Sequence, residues 1–189
     1  MSGERIETTL ATRDNGTTMT FLKRSKPQLP PEIIQQLQLP KGERVLASAL
    51  DRHSGVYVVA TNWHLTVVSP SGDVTARPWH LVEDGQWDPE TWTLSMTWVG
   101  TRRASQWSFG EQDTRLPEAF HERVRASIVL VEELPLTGRA KGRVVVRRDL
   151  QKDELLTQTI LGRGARADDP RVQDAVARTK AFVRDAVGL

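Results

Sequence analysis

Four histidines, His53, His64, His80 and His121, are the side chains of this sequence best suited to moving a proton near neutral pH. No two of them have the i, i+4 spacing that would set a pair of imidazoles on one helix face to grip a metal. No Gly-x-Ser-x-Gly elbow places a nucleophile. Ser54 follows His53 directly, but neighbours in a turn or strand do not face one another as a nucleophile and its base must. No carboxylate is arranged as a catalytic partner to any of them by a recognisable motif, although Glu122 adjoins His121. They read as surface or half-buried histidines, with no catalytic residue, no metal and no cofactor expected. The stretch Gly162-Arg-Gly-Ala-Arg166 resembles a phosphate-cradling loop ahead of a helix. It lacks the lysine and serine of a P-loop, and Asp168 and Asp169 would repel an anion there, so it reads as a connector.

Binding is the more promising chemistry. Six tryptophans are many for 189 residues. Trp92 and Trp98 fall on the apolar stripe of an alternating strand, and Trp107 on a strand face. Trp63, Trp79 and Trp87 remain as candidate interface anchors. A basic surface could form from Arg143 and Arg147 on one strand face with Lys152 in the following turn. Arg102 and Arg103 would join it if the two parts of the chain pack together. Such a surface would suit anionic lipid or nucleic acid, although the same alternation suits an ordinary solvated sheet face.

The composition narrows the classes. Without cysteine there are no disulfides, thiol nucleophiles or cysteine-held metals. The net charge of +2 does not by itself imply a polyanionic partner. Its distribution is uneven, with 12 Lys/Arg against 7 Asp/Glu after residue 134 and a mildly acidic part before it. No apolar h-region opens the chain, and no apolar run approaches the roughly 20 residues that span a bilayer. A cytoplasmic protein with no transmembrane segment is expected.

The elements that would position these residues follow from pattern. Residues 1–18 are polar and read as a flexible N-terminus. Residues 19–42 read as a lead-in strap with a short helix from Pro31 to Leu37, where Ile33, Ile34 and Leu37 would share a face. Strands are predicted over Arg44–Leu50, Val56–Ala60 and Trp63–Val68, the last two joined by a turn at Thr61-Asn62, then over Val74–Arg77 and His80–Val82. The clearest alternation is Thr91–Trp98, with Trp92, Leu94, Met96 and Trp98 on one face. Gln106–Phe109 is a last strand. A helix capped near Asp113 or Thr114 then runs to Leu134 with a stripe of Leu116, Phe120, Val124, Ser127, Val131 and Leu134. Residues 135–189 read as a hairpin, Arg143–Arg148 and Glu154–Leu161, and a helix begun by Asp168-Asp-Pro170 with Val172, Ala175, Val176, Thr179, Val183 and Val187 inward. So short a ββα unit buries little alone and should dock on the main domain or mediate a dimer.

Leu39–Leu46 (LPKGERVL) and Gly55–Leu65 (GVYVVATNWHL) resemble the opening of bacterial pleckstrin-homology-like and GRAM-type domains, in which a Gly-Glu strand precedes a hairpin. Trp79–Val82 (WHLV) sits where such domains place an aromatic-x-x-Ile strand, and the helix before Leu134 matches their single C-terminal helix. The resemblance covers about residues 39–134. It implies a PH-like antiparallel split β-barrel over 43–134 capped by one helix; with the β-hairpin plus helix read from residues 135–189, which lie outside the resemblance, the expected fold is α+β. The implied role is a non-catalytic intracellular interaction module that binds a protein partner or itself. Anionic lipid or nucleic-acid binding through the basic C-terminal unit is the alternative.

Overall fold

The computed structural model describes residues 29–101 and 103–189; the expected flexible N-terminus, most of the strap before its helix, and Arg102 lie outside them. The chain is a mixed α+β molecule whose described residues form three antiparallel sheets and three α-helices. Strands β1 (Val45–Leu50), β2 (Tyr57–Thr61), β3 (His64–Val68) and β4 (Val74–Pro78) make a four-stranded meander in that order. The hairpin at its centre pairs Val59 with Thr66 and Ala60 with Leu65. A 3-10 turn, Trp79–Leu81, then leads to a second sheet of β5 (Val82–Asp88), β6 (Thr93–Trp98) and β7 (Ser105–Ser108).

Both faces of the first sheet are covered at β2 and β3, where apolar residues have partners on each side, while β4 begins exposed. Val58, Ala60 and Leu65 point into a core shared with Leu94, Met96 and Trp98 of the second sheet and Leu116 and Phe120 of the helix that follows. Val59 and Val68 point the other way, onto α1 (Pro31–Leu37), where Ile33 and Leu37 are buried. Pro31 opens α1 at its first position, as expected. Ile34 does not share the inward face; it is 51% exposed.

Helix α2 (Leu116–Ser127) packs on β1, β2 and the 3-10 turn. Its N-cap is Arg115, one residue beyond the expected Asp113 or Thr114 and without a side-chain cap bond; Thr114 just before it accepts the Leu116 N–H at 3.1 Å while donating to the Ser48 carbonyl at 2.7 Å, which ties the start of the helix to β1. Phe120, at its middle, brings the tip of its ring against β5 because residue 85 is glycine: a Cβ there would come 2.3 Å from the Phe120 ring. The expected continuation of this helix to Leu134 is not found. It ends at Ser127, and Ile128–Glu133 is a strand, β8. Apolar residues at 128, 129, 130 and 131 satisfy either periodicity. Partnership decides between them. β8 pairs with β9 (Gly142–Arg148), which also pairs with β10 (Leu155–Leu161), and a lone two-stranded hairpin would be marginal without that third strand. The alternating pattern sends Val144 and Val146 toward α3 (Pro170–Val187) and Val145 and Arg147 toward the other side. α3 has the expected ends, Asp169 accepting the Arg171 N–H at 2.9 Å and Gly188 left-handed at φ 72°. Val172, Ala175, Thr179 and Val183 are buried, as the spacing predicts.

Candidate functional site

The structure separates the expected binding residues into three groups. Trp79 is not an interface anchor. It is fully buried, with its indole N–H donating to the Thr61 carbonyl at 2.9 Å and its ring edge-on to Phe120 at 6.0 Å. The polar His80 beside it hid that role from a strand-based reading, because a 3-10 turn rotates Trp79 inward where a strand would alternate. Trp63 is half-buried at the tip of the β2–β3 turn, its ring against Gly42. Trp87, on β5, is also half-buried, stacked on Phe109 at 6.2 Å.

The basic residues divide as well. Arg103 and Lys152 are exposed and Arg143 is half-buried, but Arg147 is 2% exposed. The solvated sheet face is therefore a seam between the two units. One Arg147 nitrogen donates to Ser127 Oγ at 2.9 Å and another to the Val82 carbonyl at 2.5 Å. Beside it, Gln158 Nε2 donates to the His80 carbonyl at 2.9 Å. Among the described residues no carboxylate pairs with Arg147, and Arg147 Nε, His80 Nδ1 and Gln158 Oε1 are buried without hydrogen-bond partners. Burial, and then the neighbouring Arg143, hold the guanidinium below its usual pKa.

Two histidines have the carboxylate neighbours that their sequence surroundings lack. His64 Nδ1 lies 2.8 Å from Glu43 Oε1, and the same oxygen accepts the Thr61 hydroxyl. His80 Nδ1 lies 3.9 Å from Asp149 in the seam. Burial lowers the His80 pKa, partly opposed by Asp149. Burial alone would raise Asp149, yet the amides of Gln151 and Lys152 and the charges of His80 and Lys152 hold it low. Both pairs join segments far apart in the chain, so no local motif could announce them.

A cleft of about 600 Å³ opens on the opposite end of α2, lined by Trp87, Trp92, Glu111, Gln112, Asp113, Thr114, Pro117, Glu118 and His121. Trp92 leaves the apolar stripe assigned to it. It sits in the β5–β6 turn at φ 53° and meets Trp87 edge-on, at 6.2 Å and 85°. The turn is tied by Asp88, which accepts the Glu90 N–H at 2.9 Å and the Thr91 hydroxyl at 2.8 Å. Those two bonds, the hydroxyl first, keep Asp88 below the usual carboxylate pKa. The Phe109 N–H then donates to the Trp92 carbonyl at 2.9 Å. The facing wall is held by Gln112, whose amide nitrogen donates to the Leu50 carbonyl at 2.6 Å while its oxygen accepts the Leu50 N–H at 3.0 Å. The carboxamide thus substitutes for a neighbouring strand at the open edge of β1 and fixes the loop carrying Glu111 and Asp113.

With this geometry in hand, comparison with known proteins adds little. No protein-family model matches, and no curated protein does. One solved structure aligns: the crystal structure of a DUF1696 family protein with a pleckstrin-homology domain from Shewanella loihica. It is 16% identical, with a TM-score of 0.37, covering 49% of this chain and 94% of that one. No helix among the described residues is long and apolar enough to cross a membrane, and no cluster of His, Asp and Glu among them could hold a metal.

Of the tentative binding residues, the cleft takes only Trp87. Trp92, Glu111, Asp113, Glu118 and His121 were not anticipated. The available signal was two acidic, turn-rich stretches, Asp88-Pro-Glu90 and Gly110-Glu-Gln-Asp113, each adjoining an aromatic residue.

Proposed function

We propose that this chain is a non-catalytic interaction module, built on a pleckstrin-homology-like unit, that binds a protein partner in the cleft beside Trp87 and Trp92. Support for the fold is the chain order of four strands, three strands and one helix, which is what the resemblance of residues 39–134 implies. The observation that carries the binding role is the cleft itself, where half-buried indoles stand beside exposed polar groups from two other segments. The carboxylate-paired histidines, His64 and His80, lie outside it. A photo-cross-linking amino acid in place of Asp113 tests the reading in cells, with the same residue at exposed Phe182 on α3 as control. Discrete adducts from position 113 that disappear with Trp92→Ala are expected. Identical adducts from both positions, or none from position 113, would sink it.

Self-association is a second reading, favoured by one feature. β8 is the edge of its sheet and leaves Ile128, Val129 and Val131 exposed, an arrangement open to strand pairing with another copy. Light scattering that gives a dimer for the intact chain and a monomer for Val131→Lys supports it; a strictly monomeric intact chain ends it. The anionic-ligand alternative has a weaker basis, because Arg147 is occupied within the seam.

A further inference from the structure

The cleft also carries a specific ligand chemistry. We infer that it receives a cationic side chain of the partner, arginine in preference to lysine; this rests on the reading of the cleft as a protein-binding site.

Three features converge on it. Trp87 and Trp92, both half-buried, line the cleft nearly perpendicular to one another; Phe109 stacks on one face of Trp87, so the aromatic surface offered to a ligand is Trp92 with what Phe109 leaves uncovered of Trp87. Indole is the best aromatic partner for a cation, and arginine makes such contacts more often than lysine. The other wall supplies Glu111 and Asp113 from the loop and Glu118 from the first turn of α2, all exposed and none in an ion pair among the described residues. No lysine or arginine lines the cleft; His121 is its one side chain able to carry positive charge. A planar guanidinium can lie on an indole while its N–H groups reach a carboxylate, which a point-like ammonium cannot do as well.

Local stability does not account for this set. The helix dipole favours Glu118 at the start of α2, and Trp87 packs on Phe109 at the margin of the core, but neither accounts for Trp92. Trp92 is the more telling residue. A bulky side chain at φ 53° lies in the left-handed region, where asparagine or glycine would fill that turn position more cheaply. The neighbouring bonds from Asp88 and Phe109 hold it there with its ring against the cleft. The cleft is open, and most of its polar lining is exposed. A small molecule would normally be largely enclosed, whereas a side chain projecting from a partner's surface fits an open corner.

The test uses the full chain and four capped pentapeptides, identical except for a central arginine, lysine, citrulline or glutamate. The readout is the indole N–H NMR signals, assigned with Trp87→Phe and Trp92→Phe. The arginine peptide should shift the Trp87 and Trp92 signals, with lysine weaker. Citrulline, which keeps the shape and loses the charge, should bind about two- to fivefold more weakly, on the scale of an exposed cation–π contact. Asp113→Asn combined with Glu111→Gln should weaken the arginine peptide several-fold with little change in the thermal melt. Equal binding of arginine and citrulline, or tighter binding of the glutamate peptide, overturns the cationic assignment and leaves the cleft as a protein site. If no peptide of any charge moves either signal, the assignment and the reading beneath it both fail.

Discussion

The two ends of α2 handle charge in opposite ways. At the Ser127 end, a positive group is sealed between two sheets without a carboxylate; at the Glu118 end, three carboxylates stand in solvent without a cation among the described residues. Desolvation separates the cases. A buried guanidinium must satisfy its donors with whatever surrounds it, here a serine hydroxyl and a backbone carbonyl, and removing it takes a donor from each of those acceptors. The exposed carboxylates are hydrated and lose little by lacking a partner, so they stay available for one. The seam is therefore a joint and the cleft a surface, although by residue type Arg143, Arg147 and Lys152 are candidates for a basic binding surface.

The largest expected effect is at the seam. Arg147→Ala should cost about 2–4 kcal/mol in urea unfolding, since it removes the donor to the Val82 carbonyl, leaves Ser127 Oγ with only its bond to the Val124 carbonyl, and opens a void. Arg147→Met should recover part of that by refilling the space without a charge to desolvate. Lys152→Ala, on the exposed turn, should stay within about 0.5 kcal/mol of the parent. Equal, small effects from Arg147→Ala and Lys152→Ala would dissolve the distinction between joint and surface.

Gly85→Ala comes next, because it acts on the helix that links the two regions. Its Cβ would meet Phe120 at 2.3 Å, and overpacking of this kind costs about 1–3 kcal/mol. The helix must move away from β5, so the variant should also disturb the Trp87 and Trp92 NMR signals. A destabilised variant with those signals unmoved would show that the cleft does not depend on the seating of α2.

What could be read from the sequence was whatever depends on one segment alone. The Tyr57–Val68 hairpin, α1 with its leading proline, and α3 with its acidic cap and apolar stripe all carry local signals. β5 does not. Glu83, Asp84, Gly85 and Gln86 look like a loop, yet the strand is needed to pair with β6, and its glycine exists to admit Phe120. β8 was lost for a related reason: four successive apolar residues fit helix or strand, and only the open edge of β9 decides. Arg147 was misjudged because alternation tells which residues share a face and not what covers that face. The cleft needed still more, since its lining comes from a turn, a loop and a helix brought together by tertiary contacts.

Acidification should bear on the seam through His80. Burial lowers its pKa in the folded state below the ordinary 6.5, so between those two values the unfolded chain binds more protons. Stability is then full above about pH 6.5, falls as the pH drops toward the depressed value, and levels off below it. Asp149, also lowered, adds a separate loss beneath its ordinary 3.8. Urea midpoints taken from pH 7.5 to 5 should decline for the parent and less steeply for His80→Gln. An identical slope in both would place the titrating group elsewhere.

The smallest effect expected on stability is at the cleft, and its smallness makes it diagnostic. Glu111→Gln and Asp113→Asn should each leave the unfolding free energy within about 0.5 kcal/mol of the parent, because both carboxylates are exposed and neither is ion-paired among the described residues. Glu118→Gln should cost slightly more, about 0.3–1 kcal/mol, through its place in the first turn of α2. A loss above about 2 kcal/mol from any of the three would mean that the carboxylate supports the fold as Arg147 does, and the contrast between the two ends of α2 would collapse. Near-neutral values leave these charges without a structural role, which is the condition a ligand-binding rim must meet.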